Sequence, residues 1–440
     1  MSTQKQKRPF ALRALAAFAG MLAILFVLLL AAYALPGERV RQHVYDSART
    51  IQNEGLYPEY LGFKLFQMDN YTDTLMLFEA ASADELPPLQ AMMTNTAYNV
   101  DNFETLADDL AWYIEEKDWS TGAQRTDAPA LEPFSYARYW HGYLIWLRPL
   151  LLLMPYTGVR IVQYIVLFSL LAVVLVQLRR CCGLRAAVWF AVSQLAVSVW
   201  FVPHQVQYFT CFMIAYAGCA WVLAKPRRSD VLCLGLLVLG TATAFCDLLV
   251  TPIITLGLPL TCWLLEPQQR LRSGVPQCAL AVGGSLCWGT GYALCWAGKW
   301  AIAGAVTGNN VLADALHQAE VRTTADTWHG MELTWRNIFG FLYDTLNSHH
   351  LFWPALAVLA VLIALFILSI RSKTALVRAL PLALTTCMTP AWFVLLRTHS
   401  IQHGWFTWRA LGLTVFAGLA FLYYACDLRA ARRRLQKGSI

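Results

Sequence analysis

Charged side chains are scarce in this chain of 440 residues: Asp, Glu, Lys and Arg make up 14% of the positions, whereas hydrophobic residues make up 58%. A soluble globule of that size would need far more polar surface to face water. The composition therefore excludes an ordinary soluble protein and indicates one whose solvent is the lipid bilayer.

The sequence also lacks the short motifs that soluble enzymes use. It has no P-loop, no GxSxG elbow, no HExxH zinc motif and no dinucleotide fingerprint. Its 12 cysteines include no pair with zinc spacing, and none of them lies in 36–157 or 300–350. These absences argue against nucleotide-driven or nicotinamide chemistry and against an exported disulfide framework.

What the sequence does contain is a series of long apolar runs. An α-helix needs roughly 20 residues to cross about 30 Å of hydrocarbon, and ten runs come close to that length. They predict an all-α, polytopic helical membrane protein with about ten transmembrane helices. The runs lie at 10–35, 158–178, 186–203, 207–223, 231–247, 251–265, 276–297, 351–370, 379–396 and 407–426.

The basic residues are distributed as such a topology requires. Lys and Arg that flank membrane spans stay in the cytoplasm, and with the amino terminus inside, the inner segments hold 20 of the 34 basic residues. The first outer segment, 36–157, has 18 acidic against 8 basic residues. The pattern predicts a multi-pass cell-membrane protein with both termini cytoplasmic. It also accounts for the net charge of +7 without a nucleic-acid partner.

The predicted spans divide the chain into six segments. The first outer segment is too long for a structureless loop, and we expect helices at 41–55 and 97–116 and a loop at 120–133. The segments are an amino-terminal transmembrane anchor (1–35), an extracytoplasmic helical loop domain (36–157), transmembrane helices 2–7 (158–297), a second extracytoplasmic loop (298–350), transmembrane helices 8–10 (351–426) and a basic cytoplasmic tail (427–440).

The end of the first loop, 136–154, is apolar and aromatic, but it also contains Arg138, His141, Arg148 and Pro149. If it spanned the membrane, the arginines at 179 and 180 would be forced outside. We therefore expect an amphipathic helix in the outer interface, where Tyr and Trp are common and Arg can extend to the headgroups. Arg138 and His141 at its start are candidate substrate-binding residues, with interfacial anchoring as the alternative.

The sharpest polar motif is FQMDNYTDTLML, at 66–77. If the segment is helical, Asp69 and Asp73, four residues apart, would share one face. A carboxylate beside a membrane-facing cleft can take the proton of an acceptor hydroxyl during group transfer. Both aspartates are therefore candidate catalytic residues. The structural alternative is that Asp69 caps the helix that follows it.

A second polar group, RTHSIQHGWFTWR at 397–409, contains His399, His403 and Arg409. Arg can bind a phosphate through two parallel hydrogen bonds, and His can donate another. These three residues are candidate ligands of an anion, although interfacial anchoring explains the same composition. Two histidines four apart also suggest a divalent cation, but the neighbouring sequence supplies no further ligands, so no metal-binding residue is assigned.

The arrangement resembles the GT-C class of membrane glycosyltransferases, which use sugars linked to polyprenyl phosphate. The resemblance rests on Asp69 in the first external loop, on the segment YARYWHGYLIWLRPLLLLMPYTGVRIVQYIV, and on the basic turn RRCCGLRAA after the next span. It implies a GT-C-like fold in which Asp69 is the base that activates the acceptor, with Asp73 and Glu79 as substitutes. It further implies that Arg or His from the outer loops holds the lipid phosphate.

Three functional hypotheses are compatible with the sequence, and the resemblance supports the first of them. The first is a glycosyltransferase whose partners are a polyprenyl-phosphate-linked sugar donor, membrane lipids and an extracytoplasmic glycan, lipid or protein acceptor. It predicts that the outer polar residues converge on one cavity, with Asp69 opposite Arg409. The second is a transporter or lipid flippase, whose site would lie near the middle of the membrane. The third is a noncatalytic assembly protein that uses the acidic domain as a docking surface.

Overall fold

The computed structural model describes residues 9–98, 103–115, 133–272, 274–324, 326–328, 330–348 and 350–427. The described chain is all-α apart from two short antiparallel sheets of two strands each. Most of the loop expected at 120–133 and nearly all of the basic tail lie outside the described residues. The prediction of an all-α fold is confirmed.

The first part of the chain forms one apolar helix and then a small domain of short helices. The helix at 38–54 confirms the one expected at 41–55, and its buried side chains Val40, Val44, Ala48 and Ile51 follow helical spacing. The elements are α1 (Phe10–Tyr33), α2 (Glu38–Glu54), α3 (Asn70–Ser82), α4 (Pro88–Thr94), β1 (Thr96–Tyr98), α5 (Leu106–Glu115), β2 (Pro133–Ser135) and α6 (Leu144–Leu151).

The middle of the chain forms a bundle in which α10 packs extensively against α13, and α9 packs against α7 and α11. Its elements are α7 (Tyr156–Cys182), α8 (Leu184–Ala196), α9 (Val206–Leu223), α10 (Ser229–Cys246), α11 (Ile253–Leu265), α12 (Pro267–Leu271) and α13 (Val275–Thr307), with a 3₁₀ helix at Val199–His204.

The last part begins with a polar segment and ends with three apolar helices, of which α18 and α20 pack together. The elements are α14 (Val311–Thr323), β3 (Thr327–Trp328), β4 (Met331–Glu332), α15 (Trp335–Ile338), α16 (Gly340–Asn347), α17 (Phe352–Ser369), α18 (Lys373–Leu395), α19 (Arg397–Thr407) and α20 (Leu411–Ala425).

Each of the ten predicted spans coincides with an apolar helix, but only eight of these helices are long and apolar enough to cross a membrane, counting α19 and α20 as one unit. The other two, α8 and α11, have 13 residues each. A 13-residue helix extends about 20 Å, which is less than the hydrocarbon thickness of about 30 Å. The described residues therefore support a multi-pass membrane protein with eight candidate spans rather than ten.

The segment at 136–154 differs from the interfacial helix that its sequence suggested. Its helix, α6, has 8 residues, and residues 136–143 before it are irregular. Arg148 does not extend to headgroups, because it is fully buried and donates hydrogen bonds to the backbone carbonyls of Ala32, Tyr33 and Leu35. These carbonyls lie at the carboxyl end of α1, where helical partners are lacking and a cation is favourable. The arginine thus ties α6 to the first candidate span.

The antiparallel pairing of two short strands places residues 136–143 beside α3. Strand β1 pairs with β2 in the register Thr96 to Ser135 and Tyr98 to Pro133, and α3 packs against both β1 and α6. The polar residues that follow β2 are thereby brought next to those of α3.

Candidate functional site

A cavity of about 610 Å³ lies between the domain formed by 36–157 and the segments that follow α10, α13 and α18. Its wall combines acidic, basic and imidazole side chains with aromatic rings. The ionisable groups are Asp69, Glu79, Arg138, Arg322, His141 and His403, and the aromatic residues are Tyr57, Tyr71, Tyr136, Tyr143 and Trp405. The remaining lining residues are Thr72, Leu75, Met76, Ala97, Leu248, Gln318, Val321, Thr398 and Gln402.

The structure separates the seven residues chosen from the sequence into two groups. Those that line the cavity are Asp69, Arg138, His141 and His403. Those that do not line it are Asp73, His399 and Arg409. The two groups differ in what their polar atoms contact.

Asp69 both caps a helix and faces the cavity. It is the N-cap of α3, and its carboxylate accepts hydrogen bonds from the backbone nitrogen of Thr72 at 3.0 Å and from the Thr72 hydroxyl at 2.8 Å. Burial raises the pKa of the Asp69 carboxyl, an effect opposed by hydrogen bonds from Gln207 and Thr72. A capped carboxylate has a fixed orientation, and a raised pKa makes it a stronger base than an ordinary aspartate.

Asp73 lies behind the cavity wall, in the first turn of α3. Its carboxylate accepts hydrogen bonds from the Tyr156 hydroxyl, from the backbone nitrogen of Val206 at 3.2 Å and from that of Gln207 at 3.5 Å. Val206 begins α9, so this carboxylate stabilises the amino terminus of another helix. Burial raises the pKa of Asp73 to about 7. Its contacts indicate a structural role, whereas the sequence suggested a catalytic one.

Glu79 and His141 form a second polar pair at the cavity wall. The Nδ1 atom of His141 lies 2.7 Å from Oε2 of Glu79, and both side chains are almost completely buried. The backbone of His141 is left-handed, with φ of +56°. For a residue with a side chain this conformation is strained, and such strain persists only where the surroundings hold it.

Arg138 and Arg322 supply the positive charge of the cavity. Arg138 donates to Asp314 at 3.2 Å and packs over the Tyr136 ring at 4.7 Å. Arg322 donates to the Tyr139 hydroxyl at 3.0 Å and has no carboxylate partner among the described residues. Both guanidinium groups can therefore contact an anion in the cavity.

A second, smaller cavity of about 150 Å³ adjoins the first and shares Arg138, Gln318 and Arg322 with it. Apart from these three residues, its wall is mainly apolar and aromatic. The other lining residues are Tyr139, Leu249, Tyr292, Trp296, Trp300, Ala315, Ala319, Thr323, Trp392 and Leu396. The two arginines therefore lie at the junction between the first, polar cavity and this second cavity, which forms an apolar groove.

His399 and Arg409 bond to the backbone instead of facing the cavity. His399 Nε2 lies 2.9 Å from the carbonyl oxygen of Leu249, and its ring packs against that of His403, with centroids 4.7 Å apart. Arg409 is 1% exposed and donates to the carbonyls of Leu65 and Gln67 at 3.3 and 3.4 Å. Arg409 therefore joins the 3₁₀ turn before α20 to the segment preceding Asp69, and it does not stand opposite Asp69 across the cavity.

Several lining residues were not selected from the sequence, notably Arg322, Gln318 and Gln402. Arg322 and Gln318 are four apart on α14 and so share one face of that helix. This spacing was visible in the sequence, but nothing there indicated which face of α14 would cover the cavity.

The structure holds no metal-like cluster within its described ranges: no group of three or more His, Cys, Asp or Glu side chains there could hold a metal ion. The histidine pair at 399 and 403 thus gains no additional ligand from the fold.

Comparison with known proteins adds no identity to this geometry. No protein-family model matches the chain, and no match is found among curated proteins or solved structures.

Proposed function

We propose that this chain is an integral membrane glycosyltransferase that moves a sugar from a polyprenyl-phosphate donor to an extracytoplasmic acceptor. The observation that carries the proposal is the 610 Å³ cavity, in which the capped carboxylate of Asp69 shares a wall with Arg138 and Arg322. A base for the acceptor and cations for a phosphate are the two groups that such a transfer needs.

In the proposed step, Asp69 takes the proton of the acceptor hydroxyl while its oxygen attacks the anomeric carbon. The bond from that carbon to the phosphate oxygen breaks, and the phosphate leaves with the electron pair. Arg138 and Arg322 favour this step because they stabilise the negative charge that develops on the leaving phosphate. Attack from the side opposite the phosphate would invert the anomeric centre.

The remaining walls of the cavity suit a sugar. Tyr57, Tyr136 and Trp405 present flat apolar rings against which the C–H face of a sugar can pack, and Gln318 and Gln402 offer amide groups for its hydroxyls. Burial raises the pKa of Tyr57 to about 12 and that of Tyr136 to about 12, so both hydroxyls stay protonated and can donate hydrogen bonds.

The adjoining groove supports a lipid-linked donor. An anion held between Arg138 and Arg322 would have polar space on one side and the Trp296, Trp300 and Trp392 rings on the other. A prenyl chain attached to a phosphate needs such an apolar path, because in a polar cavity its hydrocarbon would stay in contact with water and polar side chains.

The position of the cavity favours an enzyme over a transporter. Of its 20 lining residues, 16 belong to segments between the candidate spans and four lie in α19, at the beginning of the α19–α20 unit, whereas a transporter places its site near the middle of its spans.

The test uses the purified full chain in lipid nanodiscs with a panel of polyprenyl-phosphate-linked hexoses and pentoses. Free polyprenyl phosphate is measured by mass spectrometry in the presence of candidate acceptors. Asp69→Asn should abolish release while membrane insertion is unchanged, and Asp344→Asn, which alters an exposed aspartate of α16, should release it as the wild type does. Normal release by Asp69→Asn would remove Asp69 as the base. Movement of a labelled lipid across the bilayer without any release would replace the transferase with a flippase.

A further inference from the structure

The connection between α10 and α11, residues 247–252, contributes to the walls of both cavities. Leu248 lines the polar cavity, and the next residue, Leu249, lines the apolar groove. Arg138, Gln318 and Arg322 line both. A ligand that extends from one cavity into the other would therefore contact the two leucines as well as these three polar residues.

Leu249 has a backbone conformation that leucine rarely adopts. Its φ is +69°, in the left-handed region, where the Cβ atom of an L-residue approaches the neighbouring backbone too closely. Glycine has no Cβ atom and adopts this conformation without strain. The bend accompanies the change of cavity between Leu248 and Leu249. Strain of this kind persists only where the surrounding contacts hold it.

Two contacts hold the strained residue, one local and one from a distant helix. The Asp247 carboxylate accepts a hydrogen bond from the backbone nitrogen of Val250, which lies 3.3 and 3.1 Å from its two oxygens. Nε2 of His399 donates to the carbonyl oxygen of Leu249 at 2.9 Å, since a carbonyl oxygen can only accept. His399 belongs to α19 and is 6% exposed. Its ring therefore fixes the backbone of Leu249 relative to α19.

The Leu249 side chain lies in the apolar space next to the two arginines. An anion held by Arg138 and Arg322 would have the groove beside it, with Leu249, Trp296 and Trp392 in its wall. A hydrocarbon chain attached to that anion would be buried against these side chains. Inorganic phosphate has no such chain and would contact the arginines alone. Leu249 would thus touch the part of the ligand that distinguishes a lipid phosphate from other phosphates.

We propose that Leu249 is a specificity-determining residue that selects phosphates carrying a hydrocarbon chain, and that His399 is the positioning residue that holds it at the junction of the two cavities. That the ligand is a lipid-linked phosphate rests on the proposed function. His399 contacts no part of the ligand and acts through the Leu249 backbone. This gives the first histidine of the RTHSIQHGWFTWR segment a role that differs from binding an anion directly.

The role of Leu249 is tested with two probes, farnesyl phosphate and inorganic phosphate, by titration calorimetry on the purified full chain in detergent. Leu249→Gly should lower the affinity for farnesyl phosphate about tenfold, as expected for the loss of a leucine contact with the chain. Its affinity for inorganic phosphate should not change, which also shows that the site is folded. Leu61→Gly is the matched control, because Leu61 is left-handed too, with φ of +56°, but is 80% exposed. It should bind both probes as the wild type does.

The strain itself has a separate readout. Leu249→Gly and Leu249→Ala both remove the apolar side chain, but only glycine adopts the left-handed conformation freely. The glycine variant should therefore unfold at a higher temperature than the alanine variant. A higher midpoint for Leu249→Ala would contradict the strained conformation on which the proposal depends.

A double-mutant cycle tests whether His399 acts through Leu249. His399→Leu should lower the affinity for farnesyl phosphate several-fold in the wild-type background and have little further effect in Leu249→Gly, because residues that act through one contact are not additive. His399→Gln, whose amide can donate to the same carbonyl, should keep most of the affinity. If His399→Leu does not fold, His399→Asn replaces it, since its amide ends at the position of Nδ1.

Three results would overturn the proposal. An unchanged affinity for farnesyl phosphate in Leu249→Gly would remove Leu249 as a specificity residue. Equal losses from His399→Leu in the two backgrounds would remove His399 as its positioning residue. A wild type that binds farnesyl phosphate no more tightly than inorganic phosphate would show that the junction does not select a chain. Neither probe carries a sugar, so each of these results is distinct from the outcome of the transfer assay with Asp69→Asn.

Discussion

Arg160 and Glu54 form a two-point ion pair, with Nη1 2.6 Å from Oε1 and Nη2 2.9 Å from Oε2. The pair joins the first turns of α7 to the end of α2, and so connects a candidate span to the domain that forms one wall of the cavity. Arg160 also packs over the Tyr156 ring at 4.6 Å.

Removal of this arginine should destabilise the protein. Arg160→Met would leave the Glu54 carboxylate in a largely buried position without its partner, at a cost of about 3 kcal/mol. The expected result is a lower midpoint of thermal unfolding in detergent. Arg228→Met is the matched control, because Arg228 pairs with Asp230 but its side chain is 69% exposed and exposed pairs contribute little. Equal midpoints for the two variants would contradict the prediction.

Asp73 should make the stability depend on pH. Burial raises its pKa to about 7 in the folded chain, compared with about 3.9 for an exposed aspartate. The folded state therefore binds more protons than the unfolded state between these values, so stability falls as the pH rises from about 4 through 7. Unfolding midpoints measured across this range should decline in the wild type and decline less in Asp73→Asn. A steeper decline in the variant would contradict this assignment.

Arg322 and Arg409 should differ in what their loss affects. Arg322→Ala should weaken the binding of farnesyl phosphate, a short lipid phosphate, by about 2–4 kcal/mol, as expected when one partner of a charge-assisted contact is truncated. Arg409→Ala should instead lower the unfolding midpoint, because it frees the carbonyls of Leu65 and Gln67. Titration calorimetry and thermal unfolding of both variants would test this. Normal affinity in Arg322→Ala would remove Arg322 as a phosphate ligand.

Trp392 should recognise the chain of a lipid and not its phosphate. Trp392→Ala removes a ring from the apolar groove but leaves Arg138 and Arg322 in place. Its affinity for farnesyl phosphate should fall several-fold, whereas its affinity for inorganic phosphate should stay the same. A parallel loss for both probes would mean that Trp392 supports the arginines and does not line a chain site.

Hydropathy and charge predicted much of the fold but little of its contacts. The ten apolar runs all became helices, because a segment without polar side chains must satisfy its backbone internally. The short lengths of α8 and α11 were not predictable in the same way, since a helix buried in protein and a helix facing lipid have similar compositions.

The candidate site was predicted in part. Asp69, Arg138, His141 and His403 were identifiable as polar residues in outer segments, and the fold brings them to one cavity. Asp73 differs from Asp69 in its contacts with distant helices, such as that of Val206 with Asp73. The burial of Arg409 likewise depends on carbonyls more than 300 positions earlier in the chain, which no local pattern could reveal.

Every residue of α11 is buried, and the helix packs against α9, α10, α13, α18 and α20. Its surroundings are side chains of other helices, which are packed as densely as a crystal and cannot flow around a changed shape as lipid does. Substitutions that add apolar volume, such as Gly257→Leu at the close contact with Leu413, should therefore disturb α11. Equivalent changes on the lipid-facing surface of α17 should be tolerated. The substitutions that α11 tolerates are therefore set by neighbouring helices and not by lipid.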